Sequence, residues 1–311
     1  MKPAANLPEE SPELPLKLKV LSACPLCGCD ARSRQYALAQ TSVFRCKACG
    51  LGYLDPCLDP EGMAQIYESS DSLKSLHDFH EGYYEYGSLE EDSKTLREFQ
   101  HSLDAVECRV QGAQKKIFEV GYGNGLFLAL ARKRGWIVDG IDTSPQNLKA
   151  AKERFDLELK VGFFEGMTSS LGGWDAVALM DVIEHISEPY LILKKAHEIL
   201  RPGGILLIGT PNQSSFFAKL AHTVWLLSGG RLRSGIDKIY FLEHVAYYDK
   251  RTLALLLNKA GFQPLQSFYA ETDLAKYHLK PIERFIGEFI LFFGRVFNSG
   301  NRLIMVAQKK E

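Results

Sequence analysis

Residues 116–142 read KIFEVGYGNGLFLALARKRGWIVDGID, and this stretch decides the fold. Lys116 to Val120 is a short apolar run of the kind that forms a buried parallel strand. Glycines at 121, 123 and 125 supply a turn. Leu126 to Arg134 is built from good helix formers and ends on basic residues, which suit the negative end of a helix. Ile137 to Ile141 is a second apolar run, and Asp142 sits at its carboxyl end. Open α/β sheets bind ligands at the carboxyl ends of their strands. Glycines there let the backbone approach the ligand, and a terminal carboxylate can take both ribose hydroxyls. The stretch is therefore read as a nucleoside site.

The glycine spacing narrows the ligand. A dinucleotide fingerprint, G-x-G-x-x-G, would place its third glycine at 126, and that residue is Leu126. The pattern is instead Glu119-Val120-Gly121-Tyr122-Gly123-Asn124-Gly125, with acids at both 119 and 142. In this form the segment resembles the first motif of class I S-adenosylmethionine-dependent methyltransferases. Further blocks continue the resemblance in order. Trp174 to Met180 reads as a fourth strand and leads into Asp181-Val182-Ile183-Glu184-His185. A helix over about Glu188 to Leu200, a turn at Leu200-Arg201-Pro202-Gly203-Gly204 and a fifth strand at Ile205 to Gly209 follow. Arg251 to Ala260 carries apolar residues at 253, 256, 257 and 260, which form one helical face, and Gly261 stops that helix. Phe262 to Phe268 and Leu303 to Gln308 are the last two strands. The resemblance implies a Rossmann-like α/β fold whose seven-stranded sheet is mostly parallel, with an antiparallel last strand.

Composition bounds the remainder. A chain of 311 residues, 46% of them apolar, can bury a large core, and its formal net charge of -1 provides no field to attract nucleic acid. No apolar stretch reaches the roughly 18–20 residues needed to span a bilayer. Residues 1–19 are rich in proline and charge and lack the apolar region of a signal peptide, so they are expected to be a disordered leader in a cytoplasmic protein. In that compartment the seven cysteines point to metal or free thiols. Cys24-Pro25-Leu26-Cys27-Gly28 and Cys46-Lys47-Ala48-Cys49-Gly50 are two C-x-x-C-G knuckles. Such a pair converges four thiolates on one structural Zn²⁺, here over residues 20–58. A redox role for the two motifs lacks the βαβ context it would need. A helical connector with Tyr67, Tyr83, Tyr84 and Tyr86 fills 59–112, and the methyltransferase domain fills 113–311.

A zinc ribbon, a tyrosine-bearing connector and this core together resemble a bacterial subgroup that includes sugar C-methyltransferases and enzymes of glycan and natural-product pathways. The resemblance implies that Gly121, Gly123 and Gly125 pass under the cofactor, that Glu119 orients its methionine end and that Asp142 takes the ribose. Phe164, in the loop Gly162 to Gly166, would cover the adenine, and Asp181 would border the methionine pocket. His185 is the candidate general base, since an imidazole accepts a hydroxyl proton near neutral pH; the alternative is a structural Glu184-His185 pair. Glu243-His244 is a second pair of the same kind. Inserts at about 211–250 and 273–299 would choose the acceptor. The second carries an apolar helical stripe through Ile282, Phe285, Ile286, Phe289, Phe293 and Phe297. The stripe is expected to pack on the core or between two copies of the chain, with a membrane-facing lid for a lipid-linked substrate as the other reading. The leading function is methyl transfer to oxygen or carbon of a small-molecule, sugar or lipid-linked acceptor. Its rivals are an rRNA methyltransferase and a non-catalytic binding module.

Overall fold

The amino-terminal cysteines build a small sheet before the large one begins. The computed structural model describes residues 16–68, 86–112, 114–167, 172–277 and 279–310. Most of the expected leader, and Tyr83 and Tyr84, lie outside the described residues. β1 (Leu18–Lys19) pairs antiparallel with β5 (Cys57–Leu58), while β2 (Arg32–Ala37), β3 (Ser42–Cys46) and β4 (Gly52–Asp55) form an antiparallel meander. That meander gains a fourth strand from far along the chain. β11 (Ala246–Tyr247) lies against β4, with Ala246 opposite Tyr53 and Tyr247 opposite Gly52. Among the described residues two helices follow the ribbon, α1 (Pro60–Glu68) and α2 (Lys94–Glu107). The Ser93 hydroxyl accepts from the backbone N–H of Leu96 and so caps α2.

The large sheet is made of β6 (Lys115–Val120), β7 (Trp136–Asp142), β8 (Lys160–Val161), β9 (Trp174–Met180), β10 (Leu200–Pro211), β12 (Phe262–Ala270) and β13 (Arg302–Lys309). Its order is β12-β13-β10-β9-β6-β7-β8. Neighbours from β10 to β8 are parallel, and β13 runs antiparallel to both β10 and β12. Helices cover both faces. On one side, α5 (Pro189–Ile199) and α8 (Lys250–Lys259) pack with Phe118, Val177, Leu179 and Leu206. On the other, α2, α3 (Leu126–Lys133) and α4 (Pro145–Phe155) pack with Ile117, Ala176, Ala178 and Leu207. Alternate residues of one strand thus feed opposite cores, as a doubly covered sheet requires.

The ribbon belongs to the first of these cores. Cys24, Leu26, Cys46, Cys49 and Tyr53 share it with Ile183, Tyr248, Leu253 and Phe262. Arg251 donates to the carbonyl of Cys49 at 2.6 Å, and Lys259 to that of Leu26 at 3.0 Å. The ribbon is therefore fastened to α8 rather than projecting from the domain.

Two elements differ from the sequence reading. The expected turn at Leu200 to Gly204 is absorbed into β10: Leu200 pairs with Trp174, and the register breaks before Ile205 pairs with Ala176. Gly203, at φ +69°, marks the break. The second insert does form a helix, α9 (Pro281–Val296), but its stripe is not packed on the core. Phe285 is 68% exposed and Phe289 56%, and only Leu291 and Gly294 are buried along the helix. The intrachain contact is narrower than the stripe. Phe293 stacks on Phe216 of α6 (Phe216–Leu227), which the short α7 (Ser234–Asp237) follows, with ring centroids 5.9 Å apart. No helix of the described residues is long and apolar enough to cross a membrane.

Candidate active site

At the end of β6 the chain turns on Gly121, Gly123 and Gly125, whose φ angles are +68°, +52° and +83°. L residues rarely adopt this region, and two of these positions also lack room for a side chain. A Cβ at Gly121 would collide with Val182, and one at Gly125 would lie 2.9 Å from the Cβ of Ala151. The Gly121 N–H donates to the Ile141 carbonyl at 2.8 Å and ties the turn to β7. Asp142 ends that strand. Its Oδ2 accepts from the Gly123 N–H at 3.0 Å and its Oδ1 from the Ser144 N–H at 2.8 Å. Burial pushes the Asp142 carboxyl above the usual carboxylate range, against the pull of the Ser144 amide, the Asn147 side chain and the Gly123 amide.

Glu119 lies one row back, 2% exposed, and its Oε2 has no hydrogen-bond partner among the described residues. Burial, and then the neighbouring Asp142 charge, raise its carboxyl well above the ordinary value. A buried oxygen without a partner costs about 1–3 kcal/mol. The arrangement fits a ligand that brings a donor into the glycine turn, so the residues present suit the cofactor the sequence implies. Asn124 extends the turn outward: its Nδ2 donates to the Tyr86 carbonyl at 2.8 Å, and Arg154 reaches the carbonyls of Tyr86 and Gly87. Phe164 is 3% exposed and packs in the core at 5.8 Å from the Phe118 ring, whereas its neighbour Phe163 is 54% exposed. The ring at the surface of that loop is therefore the one at 163.

The other half of the cleft begins after β9. Asp181 has a left-handed backbone, φ +56°, and its Oδ1 accepts from Arg302 at 2.7 Å. The same guanidinium holds Glu98 of α2 through two bonds of 2.7 and 3.0 Å. Burial raises the Asp181 carboxyl, but the Arg302 charge and hydrogen bond outweigh it and hold the group below its ordinary value. Lys276, from the second insert, sits 5.1 Å from the Tyr86 ring; burial and the nearby Arg302 lower its pKa.

Glu184 and His185 form the next turn. Glu184 is 1% exposed, its Oε2 accepts from Thr210 at 2.9 Å, and burial followed by the Asp181 charge pushes its carboxyl up to about 8. His185 Nδ1 lies 2.8 Å from the Glu243 carbonyl. A carbonyl only accepts, so Nδ1 carries a proton and the lone pair of the neutral ring is on Nε2. Burial lowers the His185 pKa, which favours that neutral form. The His244 ring stands 4.8 Å away at 72°. The structure thus brings together the two Glu-His pairs singled out in the sequence. Sequence reasoning missed Glu98, Thr210, Lys276 and Arg302. For Arg302 the one signal was a charge at the head of an apolar strand; the others gave none.

A separate candidate centre lies in the ribbon. The sulfurs of Cys24 and Cys49 are 3.5 Å apart, as are those of Cys27 and Cys46, and all four lie within 4.8 Å of one another. A tetrahedral Zn²⁺ with bonds of about 2.3 Å sets its sulfurs about 3.8 Å apart, so the four thiols fit that ion. Gly28 and Gly50, at φ +75° and +76°, donate to the carbonyls of Cys24 and Cys46, closing matching turns.

Comparison with known proteins bears on the family and the fold. Ubiquinone biosynthesis O-methyltransferase from Xanthomonas oryzae pv. oryzae (strain PXO99A) is 30% identical over 118 residues, 36% of this chain and 49% of that protein. The namesake from Psychrobacter cryohalolentis is 32% identical over 122 residues, 36% of this chain and 48% of that protein. The chain thus spans about half the length of these relatives. Among solved structures, 1,6-didemethyltoxoflavin-N1-methyltransferase from Burkholderia thailandensis superposes with a TM-score of 0.51 at 17% identity, covering 90% of this chain and all of that one. The [4+2]-cyclase SpnF superposes equally well, at 0.51 and 18% identity, covering 82% and 98%. These two likenesses concern the fold alone. The family model described as a methyltransferase domain matches residues 93–267, more than half of the chain. The chain belongs to that methyltransferase-domain family.

Proposed function

We propose that the protein transfers a methyl group from S-adenosylmethionine to an oxygen of a small-molecule acceptor. The observation that carries this reading is the pairing, across one set of strand ends, of the Gly121–Gly125 turn and Asp142 with the neutral His185 imidazole. Bound S-adenosylmethionine supplies an electrophilic methyl on a sulfonium. Asp142 accepts the ribose hydroxyls, the three glycines let the backbone lie under the ligand, and Glu119 receives a donor from the methionine end. Asp181, held by Arg302, borders that end. On the acceptor side His185 takes up a hydroxyl proton as the oxygen aligns with the methyl group. Alignment is the main demand of such an in-line displacement.

Oxygen is favoured over carbon by the O-methyltransferase names of the relatives and by the imidazole at the acceptor end. A sugar or lipid-linked sugar remains within this class of acceptor. The seating of the ribbon in the sheet core supports a structural Zn²⁺ rather than an RNA-gripping arm. Its basic residues are few, and Arg32 is engaged by Asp55.

Calorimetric titration with S-adenosylhomocysteine tests this reading. We expect one ligand per chain, and affinity weakened about 10- to 100-fold in Asp142→Ala, from the loss of charged hydrogen bonds worth about 1.5–3 kcal/mol. A folded protein that shows no binding would leave the non-catalytic module as the better account.

A further inference from the structure

Glu184, His185 and His244 arrive from two places in the chain and meet at the carboxyl end of β9. A carboxylate oxygen and one ring nitrogen from each histidine all lie within 4.8 Å of one another. Around a first-row divalent ion, with bonds of about 2.0–2.2 Å, ligand atoms stand roughly 3–4.4 Å apart. From separations of up to 4.8 Å, the widest pair would draw in by about 0.4–1.8 Å to reach that range, within reach of side-chain torsions.

Further features distinguish this cluster from chance proximity. Glu184 is 1% exposed and its Oε1 has no hydrogen-bond partner among the described residues, so a deeply buried carboxylate presents an oxygen that none of them satisfies. Its other oxygen is fixed by the Thr210 hydroxyl at 2.9 Å. His185 is fixed in the same manner, through Nδ1 and the Glu243 carbonyl at 2.8 Å, which directs the lone pair of Nε2 elsewhere. Outer hydrogen bonds that lock the tautomer and the carboxylate are the usual surroundings of metal ligands. The Glu243 carbonyl also belongs to the peptide that leads into His244, so one short segment orients both rings. Those rings meet edge to face at 72°, as two imidazoles converging on one point can.

We propose that Glu184, His185 and His244 bind one first-row divalent cation, separate from the four-cysteine centre, and that the acceptor hydroxyl completes its coordination. Two nitrogens and one oxygen suit Mn²⁺, Fe²⁺ or Zn²⁺ and leave open positions. The inference rests on the methyl-transfer reading and gives His185 the role of a ligand in place of a free base. Coordination lowers the pKa of the hydroxyl, whose proton passes to water. The oxygen lone pair then forms the C–O bond as the S–CH₃ bond breaks, and that bonding pair stays on sulfur as a neutral thioether. The acceptor is thereby an oxygen nucleophile.

The test uses full-length protein dialysed until zinc holds at about one per chain, then titrated with Mn²⁺ and followed by the paramagnetic resonance of the free ion. One Mn²⁺ per chain is expected. Glu184→Gln and His244→Ala should each weaken it by roughly tenfold or more, while S-adenosylhomocysteine binding stays as in the parent and shows that both variants are folded. Absence of Mn²⁺ uptake by protein that binds S-adenosylhomocysteine would overturn the proposal, as would uptake unchanged in both variants. Uptake lost in both variants, in a protein with no affinity for S-adenosylhomocysteine, would keep the ion and remove the methyl donor instead.

Discussion

The two ends of the cleft are held in place by different means. At the nucleoside end, Glu119, the three glycines and Asp142 come from a single strand-turn-helix-strand unit, and bonds within that unit set them, such as the Gly121 N–H to the Ile141 carbonyl and the Gly123 N–H to the Asp142 carboxylate. At the acceptor end Asp181, Glu184 and His185 each lean on a distant partner. Asp181 is set by Arg302, Glu184 by Thr210, and His185 by a carbonyl of the first insert. That insert in turn is paired to the cysteine ribbon through β11. The nucleoside end is thus a local device that tolerates change elsewhere, whereas the acceptor end depends on the assembly of the whole molecule.

The ribbon offers the most severe way to break this contrast. Replacing Cys24 and Cys49 with serine should release about one zinc per chain and unfold residues 20–58, since a structural site of this kind supplies much of the folding free energy of a small segment. Metal analysis and the midpoint of thermal unfolding check this, and unchanged zinc content would rule out the four-cysteine centre. A milder substitution separates the two ends directly. In His185→Ala, turnover should fall about 10²-fold or more while S-adenosylhomocysteine affinity stays within about twofold. Comparable losses in both measurements would mean that the ends are not independent. The smallest effect belongs to the local device. Gly125→Ala must adopt φ +83° with a Cβ 2.9 Å from that of Ala151, so it should cost about 1–3 kcal/mol in denaturant unfolding and disturb cofactor binding more than acceptor binding.

The same contrast explains what the sequence reveals. The strand-turn-helix-strand unit is legible because its chemistry is contiguous: glycine spacing, an acid at 119 and an acid at 142 are all visible side by side. The knuckles are legible for the same reason, each pair of cysteines forming its own turn. Asp181 and His185 could be singled out because they follow a readable strand. Nothing near Arg302 shows that it joins Glu98 to Asp181, since those residues are brought together only by the packing of α2 and β13. The α9 stripe marks a further limit. Periodicity shows that a helix has an apolar face and does not show what lies against it; here Phe285 and Phe289 face outward.

The strand shared between the ribbon and the insert carries a consequence for the order of folding. Tyr53 leaves the ribosome long before Ala246, its partner across the sheet. Until then β4 presents an unpaired edge, the feature through which partly made chains associate. Pairing across so long a separation is slow, because the closure of a large loop precedes its reward. Metal captured early by the four cysteines would hold the meander in register during that wait, so the yield of folded protein should depend on zinc supply during synthesis more steeply than the stability of the finished molecule does.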